Sequence, residues 1–287
     1  MTDYGHEIEF GTFITPVNRP PQQAVELARL AERLGFDLVT FQDHPYQPAF
    51  HDTWTLMSYI AAETSRIRLA GNVHNLPLRP PAVLARSVAS LDLLTGGRVE
   101  LGLGAGGFWD AIEAMGGRRL EPADAVTALS EAIDVIRGIW HADAEGRLVA
   151  GGAFHRVDGA KRGPRPAHEV PIWIGAYKPR MLRLIGEKAD GWLPSLGYLK
   201  PGDLDAANAR IDDAAGAAGR APRDIRRLLN VGLLPGDTEQ QAGTLTALAL
   251  GHGISTFIVA GDDPVALEVF AAEVAPRVRE AIAAARG

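Results

Sequence analysis

The chain has 287 residues, 46% of them hydrophobic, and a formal net charge of −6. That is enough apolar material for a large core, and the basic residues are too scattered among acids to attract a phosphate backbone. There is no cysteine, which excludes disulfides, thiolate metal sites and a cysteine nucleophile. The opening MTDYGHEIEF lacks the basic-then-apolar layout of a signal peptide, and no stretch approaches the ~18 apolar residues of a membrane span. The expectation is a cytoplasmic protein whose partners are small molecules, with no nucleic acid and no membrane.

In chain order, short apolar strands alternate with longer amphipathic stretches. A first strand is expected over 7–14 (EIEFGTFI). In PPQQAVELARLAERLG, Ala24, Leu27, Ala28, Ala31 and Leu34 recur at helical spacing, with prolines before them and Gly35 at the C-terminal cap position. Further strands are expected at 36–42, 67–73, 98–104, 170–176, 191–195, 225–234 and 255–261. Helices are expected at 52–65, 81–95, 121–140, 179–189, 202–218, 238–251 and 264–285. Eight strand–helix pairs with near-continuous apolar strands specify an α/β protein, a (β/α)8 TIM barrel in which residues 1–287 form one domain. A doubly wound parallel sheet is the alternative. Residues 142–169 break the rhythm with glycine, proline and charge, and are expected to form an irregular excursion with a small hairpin in RLVAGGAFHRV.

Active sites of such barrels lie at the C-terminal ends of the strands, where helix N-termini point their free N–H groups. Strand 36–42 delivers Asp43 and His44 to that rim. A catalytic pair is weighed against Asp43 capping a turn and His44 being structural. The third strand passes Gly71 and Asn72 into a loop closed by Pro77, Pro80 and Pro81, where Asn72 and Asn75 could be turn residues and His74 a solvated imidazole. In GGRVELGLGAGG, if Val99, Leu101 and Leu103 face the helices, then Glu100, Gly102 and Gly104 face the barrel axis. Two inward glycines near the rim are expected to leave room for something flat and bulky. GLGAGG matches a dinucleotide fingerprint only weakly, since no Rossmann unit follows. Gly175, Ala176, Tyr177 and Lys178 precede Pro179 at a helix start and read either as a phosphate cradle or as a tight strand–helix turn.

The segments GFDLVTFQDH, RIRLAGNV, RPPAVLARSVASLDLLTGGRVELGLGAG and VPIWIGAYKPRMLRLIGEKADGW together resemble the bacterial luciferase-like superfamily, over most of residues 7–195. The resemblance implies a TIM barrel with an excursion that binds FMN or the deazaflavin coenzyme F420. The Asp–His context and the segment around Asn72 resemble the deazaflavin branch more, so F420 is favoured. By the same resemblance Asp43 and His44 lie near the ring, Asn72–Val73 is a non-prolyl cis peptide backing it, and the phosphate sits at Gly175 to Lys178. Gly102, Gly104, Ala105 and Gly106 then fall among the cofactor-binding residues, with His44 as acid/base and Asp43 orienting the ring or the imidazole. Sugar-phosphate dehydrogenases of that branch carry an aromatic residue and a glutamate where this chain has Pro48 and Gly107. Glucose 6-phosphate is therefore disfavoured, and Tyr46, Trp109, Asp110 and Tyr198 are candidates for a more apolar substrate pocket. The implied activity is hydride transfer between F420 and a small organic substrate, in a homodimer such as relatives often form. One rival is an FMN-dependent monooxygenase with a separate flavin reductase, and another is a non-catalytic flavin-binding barrel. A metal-dependent hydrolase is disfavoured because His44, His51 and His74 lack the paired spacing of ligands.

Overall fold

Strand β1 (Glu9–Ile14) and helix α1 (Gln23–Leu34) set the pattern for the chain, which a computed structural model describes over residues 3–287. Helix α1 buries Ala24, Val25, Leu27, Ala28 and Ala31 against the sheet. It stops at Gly35, whose φ of 87° turns the backbone so that its N–H caps the Ala31 and Glu32 carbonyls. There follow β2 (Leu38–Phe41), α2 (Thr53–Glu63), β3 (Arg68–Gly71), β4 (His74–Asn75), α3 (Pro81–Thr95) and β5 (Val99–Gly104). Next come α4 (Trp109–Ala114), α5 (Pro122–Trp140), β6 (Leu148–Gly151), β7 (Arg156–Ala160), β8 (Ile172–Ile174), α6 (Pro179–Lys188) and β9 (Gly191–Trp192). The chain ends with α7 (Asp203–Ala217), β10 (Arg226–Gly232), α8 (Thr238–His252), β11 (Thr256–Ala260), α9 (Pro264–Val269) and α10 (Ala275–Arg286).

The main sheet has nine strands in the order β3-β2-β1-β11-β10-β9-β8-β5-β4, and β3 also pairs with β5. Since β4 only resumes the line of β3, eight parallel strands form a closed ring, the expected (β/α)8 barrel. The expected hairpin in the excursion is β6 with β7, antiparallel. Its turn is held by Glu131, which accepts the Ala153, Phe154 and His155 N–H groups at 2.9 Å each. Three features differ from the sequence expectation. The short helix α4 lies in FWDAIEA, the third strand breaks after Gly71 and resumes at His74, and the last helix is interrupted by a π turn at Phe270–Val274.

The strand faces alternate as expected. Val99, Leu101 and Leu103 pack outward among the helices, while Leu38, Ala70, Trp173, Leu193, Leu228 and Ile258 form a separate inner cluster with Phe13 and Val73 against it. Trp173 fits inside because Gly191 has no side chain: a Cβ there would lie 2.4 Å from Trp173 Cδ1. Below that layer, Arg68 pairs with Glu9 and Glu100 at 2.7 Å each, and Arg226 pairs with Glu9 at 2.5 Å. The N-terminal end is thus closed by charge and the middle by apolar packing, which leaves the C-terminal end for a cavity.

Candidate active site

A cavity of about 750 Å³ opens at that end. Fourteen of the expected residues line it: Asp43, His44, Tyr46, Asn72, Val73, Gly104, Ala105, Gly106, Trp109, Gly175, Ala176, Tyr177, Lys178 and Tyr198. Two do not. Asp110 points away from it, with a side chain 98% exposed and paired with Arg119. Gly102 lies beneath the floor, and the volume that Gly102 and Gly104 release is not vacant. A Cβ on Gly102 would lie 2.2 Å from the Gly71 carbonyl, and one on Gly104 would lie 2.7 Å from Val73 Cγ2. The glycines make room for the displaced third strand and its Val73 side chain, and the cavity begins above that plug. The Asn72–Val73 peptide is cis.

His44 lies just beyond the end of β2, half-buried. Its ring stacks on Tyr46 with centroids 5.3 Å apart and meets Phe108 edge-on at 5.3 Å, a partner the sequence reading missed. Burial lowers the His44 pKa below its ordinary value, partly offset by the Asp43 charge, which favours the neutral imidazole. Asp43 is not hydrogen-bonded to His44. Its buried carboxylate accepts from Arg79 Nε and Nη2 at 2.6 Å each and from the Asn75 N–H at 2.9 Å, with His74 Nδ1 at 3.5 Å. Burial pushes that carboxyl up, but the Arg79 and His74 contacts outweigh it and hold it well below the usual carboxylate range. Arg79 Nη2 continues to Asp52, the N-cap of α2, at 2.7 Å. Asp43 is therefore a clamp that ties the end of β2 to the third-strand loop. His74, which could have been a solvated loop imidazole, is fully buried against Trp54.

On the opposite wall, β8 runs into Gly175, Ala176, Tyr177 and Lys178, and α6 starts at Pro179 with no side-chain cap. Pro179 has no N–H, and those of Arg180 and Met181 belong to the unpaired first turn. With Lys178 and Arg180 beside them, these groups can receive an anion. Tyr177 accepts the Ser195 N–H at 2.8 Å, which ties this wall to the end of β9. The floor carries polar residues that sequence reasoning missed, Thr40, Ser195 and Asn230, all hydrogen-bonded with or through Asn72. Asn230 was findable: it takes the inward register of β10, two residues after Leu228, and a polar side chain there needs partners inside the barrel.

An imidazole set among aromatics, facing an uncapped helix start across the mouth of a parallel barrel, defines an α/β-barrel protein whose rim cavity can take a small molecule with an anionic group. The chain belongs to the luciferase-like monooxygenase family, whose model matches residues 8–286. It is 34% identical over 216 residues to a 5,10-methylenetetrahydromethanopterin reductase of Methanolobus tindarius, a match covering 75% of this chain and 62% of that protein. It is 30% identical over 233 residues to an F420-dependent glucose-6-phosphate dehydrogenase of Microbacterium testaceum, covering 78% of this chain and 67% of the relative. Among solved structures, it superposes on an F420-dependent secondary alcohol dehydrogenase bound to an F420–acetone adduct with a TM-score of 0.84 at 19% identity, covering 95% of this chain and 99% of the other. A monooxygenase of Streptomyces bottropensis gives a TM-score of 0.80 at 20% identity, with 94% and 99% covered. The structural likenesses establish the fold. Among the described residues no helix is long and apolar enough to cross a membrane.

Proposed function

We propose that the chain is an oxidoreductase that holds coenzyme F420 in the rim cavity and acts on a small organic substrate. The reading rests on one observation: a single 750 Å³ cavity joins a half-buried imidazole to an uncapped helix start flanked by Lys178 and Arg180. The volume falls within the roughly 300–1,000 Å³ of small-molecule sites. The relatives whose names include F420 support the identity of the ring system.

The donor set fits the group. The first-turn N–H groups of α6, with Lys178 and Arg180, would hold its phosphate, and Asn72, Val73, Gly104 and Ala105 would lie against its ring. Bound F420 supplies two-electron hydride chemistry. His44, in its neutral form, takes a proton from a substrate hydroxyl in the oxidising direction and returns it in the reducing one. Tyr46 and Phe108 pack against the imidazole and cover part of it. Asp43, already engaged by Arg79, fixes the loop that carries Asn75 and leaves proton transfer to His44.

Titration of the protein with F420 and, separately, with FMN tests the reading. Saturable F420 binding, with FMN much weaker, is the expected result. Tight FMN binding with no response to F420 would overturn it in favour of a monooxygenase fed by a separate reductase.

A further inference from the structure

A reciprocal amide pair spans the cavity floor. Asn72 Nδ2 donates to Asn230 Oδ1 at 2.7 Å, and Asn230 Nδ2 donates back to Asn72 Oδ1 at 3.2 Å. The second proton of Asn72 goes to Thr40 Oγ1 at 3.2 Å, and the Thr40 hydroxyl donates to the Thr12 carbonyl at 3.0 Å. The second proton of Asn230 goes to Ser195 Oγ at 3.3 Å. Every amide proton and the Thr40 proton is therefore committed within the floor.

One proton is left over, that of the Ser195 hydroxyl. A serine offers one donor and two lone pairs, and Asn230 already occupies a lone pair. The Ser195 backbone is fixed as well, by its N–H bond to Tyr177 and its bridge to Asn230. Its side chain faces the cavity. We propose that Ser195 Oγ is a ligand-binding donor, giving its proton to a carbonyl oxygen or ring nitrogen of the molecule in the cavity. Asn230 is the positioning residue that forces this polarity on it. The inference rests on the reading that a flavin-type ring occupies the cavity, and it names a specificity contact on that ring.

The test is a double-mutant cycle read as the dissociation constant for F420. Ser195→Ala removes the donor and weakens binding by roughly 3- to 10-fold, the loss of one neutral hydrogen bond. Asn230→Asp keeps an acceptor for Asn72, but its carboxylate captures the Ser195 proton, so affinity falls although the serine is present. Adding Ser195→Ala to Asn230→Asp then costs nothing more, and Ser195→Thr, which keeps the hydroxyl, binds as the wild type does. The shift of the F420 absorption band on binding changes alike in Ser195→Ala and Asn230→Asp. Ser195→Ala binding as tightly as the wild type, or losses that simply add in the double variant, would overturn the inference. If Asn230→Asp does not fold, the Ala and Thr variants decide alone. Failure of the wild type to bind either coenzyme strikes the functional reading itself, and is seen before any variant is made.

Discussion

Replacing Arg79 with methionine removes the one cation in hydrogen-bond contact with a carboxylate that has no exposed surface. Asp43 is buried with its side chain at 0% exposure, and it would lose two 2.6 Å hydrogen bonds while keeping the Asn75 N–H. Breaking a buried pair from one side costs about 3–5 kcal/mol, against a typical total of roughly 5–15 kcal/mol. The variant also acquires a pH dependence. In the wild type the depressed Asp43 pKa contributes stability above about pH 4 that is lost as pH falls through the folded-state value. Without Arg79, burial dominates and raises the carboxyl above its unfolded value, so the penalty grows as pH climbs from about 4 through the raised value. Urea denaturation at pH 5 and pH 8 measures this. Arg79→Met should be less stable at pH 8 than at pH 5, and Asp43→Asn with Arg79→Met should recover much of the loss because no buried charge remains. A cost below about 1 kcal/mol at pH 8, as exposed pairs give, or a double variant as weak as the single one, would refute the clamp.

His44→Ala should lower turnover by about 100-fold or more while leaving cofactor affinity nearly unchanged, as measured by steady-state kinetics beside a binding titration. Because burial lowers the His44 pKa, the acid limb of the substrate-oxidation profile should lie below pH 6.5, with activity lost as pH falls through it; a limb above 6.5 would contradict the neutral-base role. Gly102→Ala should destabilise by about 1–3 kcal/mol or more, since its Cβ meets the Gly71 carbonyl at 2.2 Å. Gly107→Ala, with nothing within 4 Å, should be near neutral when the two variants are compared by thermal melting. Lys178→Glu should weaken F420 binding by about tenfold at low salt, and the difference should shrink as salt screens the exposed charge.

The barrel was legible because its signals are local. Periodicity placed α1, Gly35 marked its end, and alternation in VELGLG correctly sent Glu100 inward, where it pairs with Arg68. Rim position likewise pointed to His44 and to the wall at Gly175 to Lys178. What stayed hidden depends on contacts made by the fold. Asp43 meets Arg79 only after the third-strand loop returns beside β2, so its arginine partner was not visible in the sequence beside His44. Gly102 and Gly104 signalled missing side chains, but alternation along one strand does not reveal that Val73 of another fills the space. Ser195, just past β9, and Asn230, on β10, are 35 residues apart and gain meaning only through Asn72, across the barrel.

The most direct test of the central claim is a crystal structure of the protein grown with F420. The account predicts the ring against the Asn72–Val73 peptide within reach of His44, and the phosphate on the first turn of α6 beside Lys178. F420 found outside this cavity, or seated in it with the phosphate away from α6 and the ring away from His44, would contradict it.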